Sequence, residues 1–150
     1  MISLNKYFLW FFMLCLVFTL IFGVVVAVLP QAIAGFFTAL PYLISMLIVL
    51  YLFLKQQKRA PSDTERKKLT LGFTFIFWIY NLLGLLAGVL LFSRNDPEVW
   101  KNFLYSLSNT QFLSISVIMW LMLAIPLYLI TFWFYGPQAK RMANKMFGQP

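Results

Sequence analysis

The charged residues of this chain divide it into long apolar stretches. Three stretches, 7–54, 69–93 and 102–139, contain no Asp, Glu, Lys or Arg, and they are 48, 25 and 38 residues long. About 20 apolar residues are enough for a helix to cross a bilayer. This pattern predicts an all-α integral membrane protein, a single transmembrane domain over 1–150 with four spans. We place these spans at about 7–29, 35–54, 69–92 and 112–135.

Prolines mark where the predicted helices end or bend. Pro30 ends the first span, and the second span begins before Pro41 and bends there, because proline removes a backbone donor. Pro126 lies inside the fourth span and predicts a kink. We expect Gly136-Pro137 to stop the fourth helix.

Two polar segments have the sequence features of helix starts. Ser62 and Glu65 have the spacing of a capping box, which predicts that the third helix begins in water before Leu69. Asp96 is a predicted N-cap for a short outer interfacial helix over about 97–108, between the third and fourth spans. One face of this helix is apolar. It is interpreted as a cover over the end of the helix bundle, or as a recognition surface for an envelope protein or a lipid.

The distribution of the basic residues indicates how the chain is oriented across the membrane. Lys6, the loop 55–68 and the tail 138–147 together hold ten Lys and Arg, whereas the segment between the third and fourth spans holds only Arg94 and Lys101. Because cytoplasmic loops are enriched in Lys and Arg, both termini are predicted to be cytoplasmic. Basic residues that flank membrane spans are also better placed to bind anionic lipid than nucleic acid. The predicted lipid-headgroup residues are Lys55, Lys58, Arg59, Arg66, Lys67, Lys68, Lys140 and Arg141.

The tail is predicted to form a basic amphipathic surface anchor. Its basic side chains, Lys140, Arg141 and Lys145, lie apart from one apolar face. The residues of that face are Ala139, Met142, Ala143, Met146 and Phe147.

Composition limits the chemistry available to this chain. It is 62% hydrophobic and 11% charged, with no His and one Cys, Cys15. The four carboxylates all lie in predicted loops, and the capping role of Glu65 outweighs a catalytic pair with Asp63. We therefore predict no enzyme activity, no cofactor and no metal site. Small multidrug-resistance exporters are similar in size and topology, but their first span contains a carboxylate that this first span lacks.

Small and polar residues form stripes on two predicted spans. The third span has Thr70, Thr74, Phe77, Asn81, Gly84 and Gly88 at a 4-3-4-3-4 spacing, which is one helical face. The first span has Cys15, Thr19, Gly23 and Ala27, each four apart. Such residues let helices approach closely in lipid. The stripes predict contact within the chain, a subunit interface, or an Asn-lined pore or substrate site. The predicted interface residues are Thr19, Gly23, Ala27, Thr74, Asn81, Gly84 and Gly88.

A resemblance to a known family is carried by the overall sequence and by three segments, "MISLNKYFLWFF", "KQQKRAPSDTERKK" and "FYGPQAKRMANKMF". The chain resembles a small family of four-span inner-membrane proteins from Acinetobacter. The resemblance covers essentially the full chain and supplies no motif from which functional residues can be transferred. It implies a homotrimer in the bacterial inner membrane that supports envelope integrity and intrinsic antibiotic resistance without catalysis. Lipids and an envelope protein are the expected partners. The alternative is a small export component or transporter subunit for toxic compounds.

Overall fold

A computed structural model describes residues 3–28 and 31–148 of the chain. The described residues form helices and contain no strand. Where the structure describes the chain, four helices are long and apolar enough to cross a membrane, so the prediction of an all-α chain with four such helices is confirmed. The helices are α1 (Asn5–Ala27), α2 (Gln31–Gln57), α3 (Asp63–Ser93), α4 (Pro97–Ser108), α5 (Thr110–Trp133) and α6 (Ala139–Phe147).

The predicted helix starts are confirmed at α3 and α4. The Ser62 N–H donates to Glu65 Oε2 at 2.9 Å, and the Glu65 N–H donates to Ser62 Oγ at 3.3 Å, which is the reciprocal pair of a capping box. At α4 the Asp96 carboxylate accepts the Glu98 N–H at 2.9 Å. Polar residues therefore begin both helices before their apolar residues follow.

Two internal prolines lie within continuous helices. As predicted, α2 begins before Pro41, at Gln31. α5 runs through Pro126 without interruption. The predicted end of the first span at Pro30 lies outside the described residues. The described part of α1 ends at Ala27.

The prediction that Gly136-Pro137 stops the fourth helix is confirmed. α5 ends at Trp133, and the π-helical turn Phe134–Gln138 joins it to α6 across a kink. Gly136 has non-helical angles, φ −108° and ψ −105°, which separate the axes of α5 and α6. Pro137 has no N–H to complete an α-helical bond. The dipeptide therefore ends the regular helix at this kink.

The chain forms two compact units whose boundaries fall inside α3 and α5. Unit 1 comprises residues 1–77 and 127–150, and unit 2 comprises 78–126. α1 packs against α2 in unit 1, and α6 also contacts α2.

The core of unit 1 is an aromatic cluster drawn from three long helices and the π-helical turn. Phe11 of α1 stacks on Phe73 of α3, with ring centroids 4.2 Å apart. Tyr42 of α2 meets Phe11 at 5.4 Å and Phe77 at 5.0 Å, in both cases edge to face. Tyr135 meets Phe73 at 5.5 Å. Such aromatic pairs add directional packing energy where lipid offers no hydrophobic driving force.

Unit 2 is described over its whole length and contains no buried side chain. Trp78 and Trp120 pack edge to face across it, with centroids 4.7 Å apart. Large apolar side chains elsewhere in the unit are exposed, among them Phe92 at 69% and Met122 at 71%. Exposed apolar side chains of this kind are suited to lipid or to another membrane-embedded chain.

Candidate functional site

The start of α1 meets the end of α2 through a buried tyrosine. Tyr7 donates its hydroxyl hydrogen to Gln56 Oε1 at 3.1 Å and accepts from Gln57 Nε2 at 2.9 Å. Its ring packs on Phe53 at 5.0 Å. Lys6 Nζ lies 4.9 Å from the centroid of the same ring. These contacts bring Lys6 next to the beginning of the loop 55–68.

The start of α3 meets the junction of α5 and α6 through Arg66. Its Nε donates to the carbonyl of Phe132 at 2.7 Å, and its guanidinium carbon lies 3.5 Å from the Phe132 ring centroid. The guanidinium also covers Gly136 so closely that a Cβ there would overlap it. Arg66 therefore joins two segments 66 residues apart and supplies a partner to a carbonyl beside the helical break.

These two sets of contacts gather most of the basic residues at one end of unit 1, which we call the basic end. It has ten Lys and Arg and two carboxylates, Asp63 and Glu65. The remaining four charges, all in unit 2, cancel, so the formal charge of +8 belongs to this end. The basic residues of this end are Lys6, Lys55, Lys58, Arg59, Arg66, Lys67, Lys68, Lys140, Arg141 and Lys145.

The eight predicted headgroup residues fall into two groups. Six have exposed side chains and line the surface of the basic end: Lys55, Lys58, Lys67, Lys68, Lys140 and Arg141. Arg59 and Arg66 are half-buried, and their guanidinium groups bind other parts of the chain. The sequence pattern missed these structural roles because both pairings depend on tertiary packing or on the fold of a turn, which periodicity does not report.

Arg59 forms a bidentate ion pair with Glu65. Its Nη1 and Nη2 each donate to one carboxylate oxygen at 2.8 Å. These hydrogen bonds lower the pKa of Glu65 to about 2, and the same contact raises the pKa of Arg59. Both groups precede the first buried apolar residue of α3, Leu69. The ion pair closes the loop and keeps Glu65 from neutralising the nearby lysines.

The predicted interface glycines are open in this structure. A Cβ added at Gly23, Gly84 or Gly88 would meet no heavy atom within 4 Å. Among the described residues no close packing accounts for these three glycines, and both contact within the chain and a subunit interface stay predictions. Gly72, which was not predicted, is the glycine of α3 that another helix approaches, because the Phe8 ring covers it.

The other predicted interface residues differ in their surroundings. Thr74 donates to the Thr70 carbonyl of its own helix at 2.9 Å. Thr19 and Asn81 are half-buried. The side chain of Ala27 lies outside the described residues.

The interior of unit 1 contains several hydroxyl groups. The hydroxyls of Tyr42 and Thr131 are 2.7 Å apart, and Tyr135 donates to the Met46 carbonyl at 2.9 Å. Ser45 Oγ and Thr70 Oγ1 are buried without a partner. Over the described ranges, no three His, Cys, Asp or Glu side chains cluster. The Tyr42–Thr131 pair joins α2 to α5, and the Tyr135 hydroxyl joins the π-helical turn to α2. Both pairings have a structural role.

Comparison of the chain with models of protein families, with curated proteins and with solved structures gives no match. The assignment of a function therefore depends on the basic end and the membrane-spanning helices themselves.

Proposed function

We propose that this chain is a non-catalytic, multi-pass protein of the bacterial inner membrane, with both termini and the basic end at the cytoplasmic surface. The observation that supports this most directly is the concentration of ten basic residues at one end of unit 1. Positively charged segments remain on the cytoplasmic side, where anionic lipids attract each Lys or Arg by about 1 kcal/mol. Binding of anionic phospholipid headgroups is the activity that follows.

We further propose that the chain assembles as a homo-oligomer, and the family resemblance suggests a trimer. Two observations support self-association: unit 2 contains no buried side chain, and Gly84 and Gly88 present open backbone on α3. Small residues four apart allow two helices to approach closely in lipid. α4 is proposed to lie in the outer interface, since none of its residues is buried and it connects two membrane-spanning helices.

The proposed cellular role is support of envelope integrity and of intrinsic resistance to antibiotics and toxicants, through lipids or an envelope protein partner. An exporter is the alternative. The apolar stretches lack Asp, Glu, Lys and Arg, so proton-coupled export has no such titrating group within them. Deletion of the gene should raise sensitivity to several unrelated toxicants together. Reduced efflux of one compound class, with an intact outer barrier, would favour the exporter instead.

The lipid proposal can be tested by energy transfer from the protein's Trp residues to dansyl-labelled lipids in detergent micelles. We expect phosphatidylglycerol to bind more tightly than phosphatidylcholine, and the difference to shrink as salt increases from about 0.05 M to 0.5 M. Substitution of Lys55, Lys58, Lys67 and Lys68 by Gln should reduce the preference. The double variant Arg94→Gln with Lys101→Gln, outside the basic end, should retain it. Equal affinity of the wild type for both lipids would contradict the proposal.

A further inference from the structure

α6 has a buried face and an opposite, basic face. Ala139 and Ala143 are buried, and α6 contacts α2. At about 100° per residue, Arg141 and Lys145 lie on the far side of the helix, about 40° apart and one turn from each other. Side chains four residues apart are neighbours on a helix surface. Both cations are exposed, so they lie together on the face of α6 that points away from α2.

An open depression of about 740 Å³ lies along this basic face. Among the described residues, two cations, two amides and one thioether line it, and none of these is a carboxylate. The lining residues are Gln138, Arg141, Met142, Asn144 and Lys145. The combination offers positive charge, neutral hydrogen-bond donors and an apolar contact on one open face of the helix.

Arg141 differs from the other arginines of the basic end. Arg59 binds Glu65 through both terminal nitrogens, and Arg66 binds the Phe132 carbonyl and ring. The Arg141 guanidinium is exposed. A planar guanidinium fork matches two phosphate oxygens at once, whereas a lysine ammonium acts as a compact point charge. The geometry for bidentate recognition is therefore found in α6 and not in the loop.

We propose that this depression is a specific site for the phosphate of one anionic phospholipid. The Arg141 guanidinium donates two hydrogen bonds to phosphate oxygens, and the Lys145 ammonium contributes the second positive charge. The Gln138 amide donates to the headgroup, and Met142 contacts the first apolar carbons of the lipid. This inference rests on the proposed function, but it separates one stoichiometric lipid from the diffuse attraction of the whole basic end.

The test is native mass spectrometry of the full chain in detergent, titrated with phosphatidylglycerol. Wild type should retain one tightly bound lipid per chain. The double variant Arg141→Gln with Lys145→Gln should weaken this binding at least ~tenfold, because it removes the bidentate pair and its neighbouring charge. Lys67→Gln with Lys68→Gln removes the same charge from the loop and should weaken it by less than ~threefold, because exposed charges at a distance are screened.

A conservative variant guards against a folding defect. Arg141→Lys keeps the charge and the helix but loses the guanidinium fork, so the tight lipid should be weakened while thermal stability equals that of the wild type. Phosphatidylcholine should not replace phosphatidylglycerol at the site. Millimolar inorganic phosphate should fail to displace the lipid, and displacement by phosphate alone would overturn the assignment of a lipid ligand.

Two results would overturn the inference in distinguishable ways. Equal weakening in the α6 and loop double variants would leave only diffuse attraction, and the proposed function would stand without a specific site. The absence of any preference for phosphatidylglycerol over phosphatidylcholine in the wild type would refute both the site and the proposed function.

Discussion

Arg66 lies across the ring of Phe132, 3.5 Å from its centroid, and its Nε donates to the carbonyl of the same residue at 2.7 Å. One residue is therefore held through both its ring and its backbone by a side chain from another helix. The Phe132 carbonyl lies near the break at Gly136, and Arg66 supplies it with a side-chain donor.

Arg66→Ala is expected to lower the free energy of unfolding by about 1–3 kcal/mol, because it leaves the Phe132 carbonyl without this donor. Arg66→Lys should recover only part of the loss, because an ammonium group has neither the Nε donor nor the planar stack. Denaturant titration in micelles measures both. Lys67→Ala, at an exposed neighbour, is the matched control. Equal stability of Arg66→Ala and Lys67→Ala would contradict the prediction.

Gly136→Ala should also destabilise the protein, because its Cβ would overlap the Arg66 guanidinium. Gly84→Ala, measured on the monomer in detergent, serves as the control, since open space surrounds that position within the single chain and alanine favours a helix by about 0.5–1 kcal/mol. Melting temperatures should therefore shift in opposite directions. In the Arg66→Ala background the cost of Gly136→Ala should shrink, since the two residues are in contact. An unchanged cost would show that the strain arises elsewhere.

Acid should weaken the loop closed by Arg59 and Glu65. The pKa of Glu65 is lowered from 4.5 to about 2, so the folded state favours the carboxylate more than the unfolded state does. Its contribution is present above about pH 4.5 and is lost as the pH falls toward 2. Stability measured across this range should decline less in Glu65→Gln than in the wild type. Parallel pH profiles for the two proteins would argue against this assignment.

The double variant Gly84→Leu with Gly88→Leu tests the role of the open stripe on α3. If these glycines form a subunit interface, the mass measured in lipid nanodiscs should fall from an oligomer to a monomer. Gly23→Leu makes the same test for α1. An oligomer that survives all three substitutions would exclude both stripes as the interface.

The Tyr42–Thr131 hydroxyl pair connects α2 to α5 and should contribute modestly to stability. A double-mutant cycle with Tyr42→Phe and Thr131→Val should give a coupling of about 0.6 kcal/mol, the average for interhelical hydrogen bonds in membranes. Thermal unfolding of the four proteins measures it. Zero coupling would mean that Thr131 depends only on its bond to the Leu127 carbonyl, 2.8 Å away.

The structural features that were predicted correctly from the sequence are local ones. Ser62 and Glu65 are three residues apart, so their reciprocal bonds follow from the geometry of one helical turn. The apolar stretches between charges likewise predict membrane-spanning helices from length alone. Both depend on the order of residues and not on what packs beside them.

The features that were missed depend on distant partners. Nothing near Arg66 in the sequence indicates Phe132, because the pair is separated by 66 residues. Gly72 has no regular place in the stripe of Gly84 and Gly88, and its close contact comes from Phe8 on another helix.

The break at Gly136 affects how far the chain extends beyond α5. The helical segment Thr110–Phe147 holds 38 residues, which would extend about 57 Å if straight. A bilayer with its headgroups is about 40–45 Å thick, so a straight segment would project its last turns into water. Because α6 instead packs against α2, the break at Gly136 keeps the last turns of this segment beside the other helices of unit 1.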